Sequence, residues 1–256
     1  SGEVDFEDVT FAYEEDINVL EHLNLHVRAG ESIALVGPTG AGKSTVINTL
    51  CRFYNLNGGR ILLHDREGGV HDISKVTLHS LRSQMGIMLQ DSFIFSGSLL
   101  ENIRYGRLDA TDAEVREAAR RVRADELIRK MPKGYLTEIK ERGSNLSQGE
   151  RQLIAFARTL LSDPAILILD EATSSIDTQT EKLLQEGIAE MLKGRISIIV
   201  AHRLSTIKNC DRILYISNKG IAEMGSHEQL VAQGGIYADM YNRQLLEKMK
   251  KEEFAL

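Results

Sequence analysis

The run Gly37-Pro38-Thr39-Gly40-Ala41-Gly42-Lys43-Ser44-Thr45 constrains this chain more than any other stretch. It satisfies the pattern G-x-x-x-x-G-K-[ST], and its surroundings are those the pattern requires. Before it, Ser32-Ile33-Ala34-Leu35-Val36 has the length and apolarity of a buried strand; after it, Val46-Ile47-Asn48-Thr49-Leu50 opens a helix. The order has a chemical reason. A glycine-rich turn lets backbone N–H groups close around phosphate oxygens, and the helix N-terminus adds a favourable dipole. Lys43 then reaches the β- and γ-phosphates, the Ser44 hydroxyl ligates Mg²⁺, and Thr45 meets the α-phosphate. The pattern predicts that the chain binds a nucleoside triphosphate.

At 256 residues the chain buries a large core, as one domain or one domain with an insertion. A net charge of −6 argues against a nucleic-acid partner, which calls for a broad basic footprint. No apolar run reaches the about 18 residues of a membrane span, and the first residues carry no secretory signal pattern. Cys51 and Cys210 stand alone, which fits packing roles and a reducing cytosol. The chain opens Ser1-Gly2-Glu3 and runs almost at once into strand pattern, so it reads as a fragment of a longer polypeptide.

Residues 4–11 alternate apolar and polar with one slip, and Tyr13 follows; residues 22–27 alternate again as a half-buried strand. His22 and His26, four apart, would suit a metal on a helix. On a strand they read as a solvated face, and no metal is expected there. Residues 58–63 are turn and strand, 65–71 a hairpin tip, and 85–89 a short strand closed by Gln90. From 92 to 161 the periodicity is helical, and a capping box, Thr111-x-x-Glu114, opens a helix running to about 131. Buried runs return at 165–169 and 196–201, each after a helix, which argues for a largely parallel sheet. A strand pair around Asn218-Lys219-Gly220, a capped helix at Ser226 and a charged helical tail over 244–253 complete the chain.

The run Ala165–Leu169 delivers Asp170 and Glu171 at a strand's C-terminal end, the edge where ligands bind in open α/β sheets. Asp170 suits holding Mg²⁺; Glu171 suits polarising a water for in-line attack on the γ-phosphate. Just before the helix that precedes this strand lies Leu146-Ser147-Gln148-Gly149-Glu150. Ser147 and Glu150 form a capping box, and a serine with glycine amides at a helix N-terminus also makes an anion site.

The ordered set of P-loop, Gln90, Leu-Ser-Gln-Gly-Glu, Leu-Asp-Glu, Ser174-Ser175-Ile176-Asp177 and His202 resembles the nucleotide-binding domain of ABC transporters along nearly the whole chain. Segments 91–98 and 137–143 look like the exporter branch. The resemblance implies an α/β fold: a P-loop NTPase (RecA-like) core with a mostly parallel sheet, an N-terminal antiparallel β subdomain and an inserted α-helical subdomain. It assigns 1–91 and 162–256 to the core and 92–161 to the helical part. It implies that Tyr13 stacks on adenine, that Gln90 touches Mg²⁺ and reports nucleotide state, and that Ser147 and Gly149 grip the γ-phosphate held by a partner's P-loop. Asp177 resembles the acid at the dimer seam, and His202 the switch histidine on the γ-phosphate. The implied cofactors are ATP and Mg²⁺. The implied partners are a second nucleotide-binding domain, identical or not, and a transmembrane domain, at the cytoplasmic face of a membrane. Residues 137–143 resemble the segment that meets intracellular coupling helices.

Two departures stand out. The usual signature is Leu-Ser-Gly-Gly-Gln, and this chain has Gln148 and Glu150 instead; its form Leu-Ser-Gln-Gly-x-Arg-Gln, through Arg151 and Gln152, resembles one half of heterodimeric exporters. Lys140 stands where the related segment has glycine. Two other classes share the motifs: a soluble ABC-type ATPase, which would carry coiled coils or zinc modules between them, and a regulatory subunit that binds ATP without hydrolysis, against which Glu171 and His202 argue.

Overall fold

A computed structural model of the chain describes residues 2–88, 93–171 and 176–253. In chain order its elements are β1 (Val4–Glu14), β2 (Ile17–Val27), β3 (Ser32–Val36), α1 (Lys43–Leu50), β4 (Gly58–His64), β5 (Val70–Asp72), α2 (Leu78–Ser83), β6 (Met85–Met88), β7 (Gly97–Ser98), α3 (Leu99–Arg104), α4 (Asp112–Arg121) and α5 (Ala124–Ile128). Then follow β8 (Glu138–Ile139), α6 (Gln148–Ser162), β9 (Ile166–Asp170), α7 (Thr178–Leu192), β10 (Ile196–Val200), α8 (Leu204–Lys208), β11 (Arg212–Ser217), β12 (Gly220–Gly225), α9 (His227–Gln233) and α10 (Ile236–Glu253). They divide into two compact units, Ser1–Arg82 with Ile196–Leu256, and Ser83–Arg195. The helical stretch expected over 92–161 falls inside the second.

The first unit holds an antiparallel sheet ordered β2–β1–β4–β5. The slip in the alternation of β1 is a bulge. Asp8 (φ 53) and, across the ladder, His22 (φ 50) are left-handed, the register breaks between Phe6 and Val9, and Val4, Phe6, Val9 and Phe11 are all buried. A bulge adds one residue to a strand and so resets which face the next side chains take. The strand also runs further than the alternation predicts. Ala12 pairs with Asn18 and Glu14 with Ile17, so Tyr13 lies within the hairpin and not beyond it. His22 and His26 each meet a carboxylate of β1: Nδ1 of His22 is 2.7 Å from Asp8, and Nδ1 of His26 is 2.7 Å from Asp5.

In the same unit β3 is flanked by β10 and β11, parallel to both, with β12 antiparallel outside β11. All five residues of β3 and of β10 are buried, as a parallel strand covered on both faces requires. Each large side chain so buried contributes about 1.5–3 kcal/mol. Polar contacts set the register where the strands begin. The Asp211 carboxylate accepts from the Ser32 amide at 2.8 Å and its hydroxyl at 2.6 Å, and Arg212 Nε lies 2.9 Å from Glu31 Oε1. Cys51 is fully buried, and burial pushes its thiol up to about 12, which leaves it an inert packing group.

In the second unit β6 runs parallel to β9, from Met85 opposite Ile166 to Met88 opposite Leu169. Helix α6 supplies the core through Leu153, Phe156, Ala157 and Leu160, with Leu184, Ile188 and Met191 of α7 also buried. The single helix expected over 111–131 is two. Its buried positions run Val115, Ala118, Ala119, Val122 and then Ala124, Ile128, a change of phase that one helical face cannot hold. The chain turns at Arg123 (φ 66), which puts both Val122 and Ala124 inside.

Candidate functional site

The glycine run of the first unit forms a left-handed loop between β3 and α1. Gly37 (φ 138) and Gly42 (φ 103) adopt backbone conformations that L side chains rarely reach. A Cβ on Gly37 would also stand 2.2 Å from the Ile216 carbonyl oxygen. The requirement is therefore double: conformation, and close passage against β11. Gly42 caps α1 without a side chain, leaving the helix N-terminus open to an external anion. Lys43 is only 8% exposed and folds back over the loop, its ammonium donating to the carbonyls of Gly37 and Pro38 at 2.8 Å each. Pro38, Thr39 and Gly40 are exposed, Ala41 is half-buried and Ser44 is exposed on the first turn.

Tyr13 reaches this helix from β1. Its hydroxyl lies 3.2 Å from Thr45 Oγ1 and accepts from Asn48 Nδ2 at 3.0 Å. The ring sits edge-on to Phe11 and Tyr54, at centroid distances of 4.8 and 5.0 Å, and remains 47% exposed. The fold thus brings Tyr13 and Thr45 together and leaves an aromatic surface beside the loop. Asn48, which nothing in the sequence marks, orients it. His202 is exposed two residues after β10. Because Val200 lies opposite Leu35 of β3, His202 emerges at the same sheet edge as the glycine loop.

The second unit holds the other predicted residues. Asp170 is partly exposed at the end of β9, and the next residue, Glu171, is 0% exposed. Ser147 is the N-cap of α6, accepting from the Glu150 amide at 3.2 Å while its own amide donates to Glu150 Oε2 at 2.7 Å. The capping box is real, and Ser147 stays exposed. Gly149 is buried: a Cβ there would meet Thr180 Cγ2 at 2.4 Å and Ile176 Cγ2 at 3.1 Å. That glycine lets α6 pass close to α7. Asp177 caps α7 by accepting from the Thr180 amide at 2.9 Å, a bond that holds its carboxyl below the usual range. Gln90 lies outside the described residues.

Three further anchors lie in this unit, and spacing predicts none of their contacts. Arg151 Nη1 donates to the Leu146 carbonyl at 2.7 Å, tying α6 to the loop that enters it. Asn145 accepts from the Lys140 amide at 3.0 Å and donates to the Glu138 carbonyl at 3.1 Å, clasping the 137–143 segment. Arg158 donates to the carbonyls of Asn102 and Phe93 at 2.8 Å each, which ties Phe93 to α3 and α6. Lys140 has an extended backbone, φ −74 and ψ 166, so the segment does not need the glycine found in related chains.

The ABC transporter family model matches residues 20–174, from before the glycine loop to beyond Glu171. The chain belongs to the ABC transporter family. It is 51% identical over 244 residues to the uncharacterized ABC transporter ATP-binding protein YfiC of Bacillus subtilis, covering 95% of this chain and 40% of that protein. It is 46% identical over 255 residues to the mitochondrial iron-sulfur clusters transporter atm1 of Aspergillus fumigatus, covering 99% of this chain and 34% of that protein. It also resembles the solved structure of a bacterial Atm1-family ABC exporter with ATP bound. The TM-score is 0.85 at 44% identity, over 95% of this chain and 42% of the other. The chain therefore spans well under half the length of the ABC transporter relatives it matches.

Proposed function

We propose that this chain is the ATP-binding and ATP-hydrolysing domain of an ABC exporter. The observation that carries the reading is the loop at the N-terminus of α1, with Lys43 folded over its carbonyls and the exposed face of Tyr13 beside it. A buried ammonium, an open helix N-terminus and an aromatic face match the triphosphate and base of ATP. Gly37, Pro38, Thr39, Gly40, Ala41, Gly42 and Thr45 enclose the phosphates, Lys43 neutralises the β- and γ-phosphates, and Tyr13 stacks on adenine. Stacking on an aromatic ring is worth about 1–3 kcal/mol per base and tolerates any base, so the preference for adenine rests on the family.

Ser44, Asp170 and Gln90 offer hydroxyl, carboxylate and amide oxygens, the hard donors that suit Mg²⁺. Among the described residues no group of three or more His, Cys, Asp or Glu stands together as a metal cage. A donor set so sparse fits a cation whose shell is completed by phosphate and water. When bound, Mg²⁺ would neutralise charge on the transferred phosphoryl group. Glu171 accepts a proton from the attacking water, His202 orients the γ-phosphate, and Gln90 links the site to the membrane partner.

Ser147 and Gly149 present the N-terminus of α6 to the nucleotide of a second domain, so two chains close head to tail around ATP. Closure and reopening move a transmembrane domain at the cytoplasmic face of a membrane; no helix of the described residues is long and apolar enough to cross one. The exporter assignment rests on the likeness to the solved Atm1-family ABC exporter, at 44% identity. The direct test is nucleotide titration of Lys43→Ala. Removing a charge-assisted contact from each of two phosphates costs at least about 3 kcal/mol, more than a hundredfold in affinity. Unchanged ATP affinity would remove the loop from the site.

A further inference from the structure

The second unit carries a basic pocket that the nucleotide reading does not use. We propose that it binds a small phosphate-bearing anion. Between Arg116 and Lys133 the sequence holds seven basic residues against three acidic ones, in a chain whose net charge is −6. Positive charge gathered at a concave site on an acidic molecule focuses the local field on anions. The site is a cavity of about 360 Å³ lined by Arg116, Arg120, Arg129 and Lys133, with Asp125 and Tyr135. That volume falls within the range of small-ligand pockets, about 300–1,000 Å³.

The floor of the pocket orients its cations. Tyr135 and Asp125 are buried, and the Tyr135 hydroxyl donates to Asp125 Oδ1 at 2.7 Å. The other oxygen of Asp125 holds Arg129 Nε at 2.7 Å. The Arg116 guanidinium lies over the Tyr135 ring, 4.4 Å from its centroid, a geometry that lowers the entropy lost when the guanidinium is bound. Arg129 and Arg120 have carboxylate partners, Asp125 and Glu117. Arg116 and Lys133 have none within ion-pair distance among the described residues. Two uncompensated cations, one a planar fork suited to paired oxygens, match a phosphate dianion better than a single carboxylate.

The pocket shares no residue with the glycine loop, so the two sites are separable. Pyrophosphate is titrated calorimetrically into the Lys43→Ala chain, which silences the loop, and into the same chain carrying Arg116→Gln and Lys133→Gln. We expect binding in the first and a loss of about tenfold or more for each cation removed, with weakening as salt is raised. Arg116→Lys, which keeps the charge but not the fork, should fall between. Co-sedimentation with vesicles of phosphatidylglycerol and phosphatidylcholine in equal parts identifies the source. Arg116- and Lys133-dependent binding to vesicles alone assigns a lipid headgroup, and to pyrophosphate alone a soluble phosphate. Absence of both, or binding indifferent to the two substitutions, overturns the proposal. Both side chains are exposed, and an unchanged melting temperature shows that the variants fold.

Discussion

Glu171 follows the last residue of a buried strand and is itself fully buried, an expensive place for a carboxylate unless it has work or partners there. If its work is to accept a proton from water, Glu171→Gln keeps the shape and removes the basicity. Turnover should then fall about 10²–10⁴-fold with ATP affinity retained, measured by phosphate release alongside nucleotide titration. Retained turnover would take Glu171 out of the base role. Gly149 poses a different question, because the structure supplies a packing reason for it beside the proposed phosphate contact. A methyl group 2.4 Å from Thr180 Cγ2 overpacks the α6–α7 contact, so Gly149→Ala should cost about 1–3 kcal/mol in urea unfolding. Adding Thr180→Ser should restore part of that. Activity that stays lost after stability recovers would assign Gly149 a role at the nucleotide as well.

At the scale of elements, caps do much of the local specification. Ser98, Thr111, Ser147 and Ser226 each form a capping box with a residue three further on, and these were readable from spacing at Thr111, Ser147 and Ser226. The α9–α10 corner adds a pH-dependent element. His227 Nδ1 lies 2.8 Å from the hydroxyl of the fully buried Tyr237, and burial, then Lys208, holds the imidazole below its ordinary value of 6.5. The folded state therefore favours neutral His227. As pH falls below about 6.5 the unfolded chain takes up the proton first, and stability declines until the folded pKa is passed. Urea midpoints taken from pH 7.5 downwards should drop across that window, and His227→Gln should flatten the drop. A wild-type curve unaffected by the substitution would place the pH dependence elsewhere.

For the whole molecule the open quantity is its partner. Gln148 sits at the first turn of α6, partly exposed beside Ser147, where the usual signature has glycine. We expect this side chain to weaken closure on a second copy of the same chain. Light scattering of Glu171→Gln with and without Mg·ATP measures it. Monomers that hold ATP would point to a different partner chain, and adding candidate domains should then recover dimers. Dimers formed by this chain alone would support a homodimer and show that Gln148 is tolerated.

How much was legible follows from range. The glycine loop, the strand before it, the paired carboxylates at the end of β9 and the capping boxes are set by neighbours within a few residues, and periodicity and spacing report them directly. The family follows from their order along the chain. The bulge at Asp8, the break at Arg123, the seat of Tyr13 against Thr45 and Asn48, the clasp of Asn145 and the packing need for Gly149 depend on side chains brought together from distant positions. So does the basic pocket, whose arginines are gathered around Tyr135 and Asp125 only in the folded chain. Local sequence determined which chemistry the chain carries. Only tertiary packing decided which side chains are held, buried or left facing a ligand, because those are sums over contacts that no short window contains.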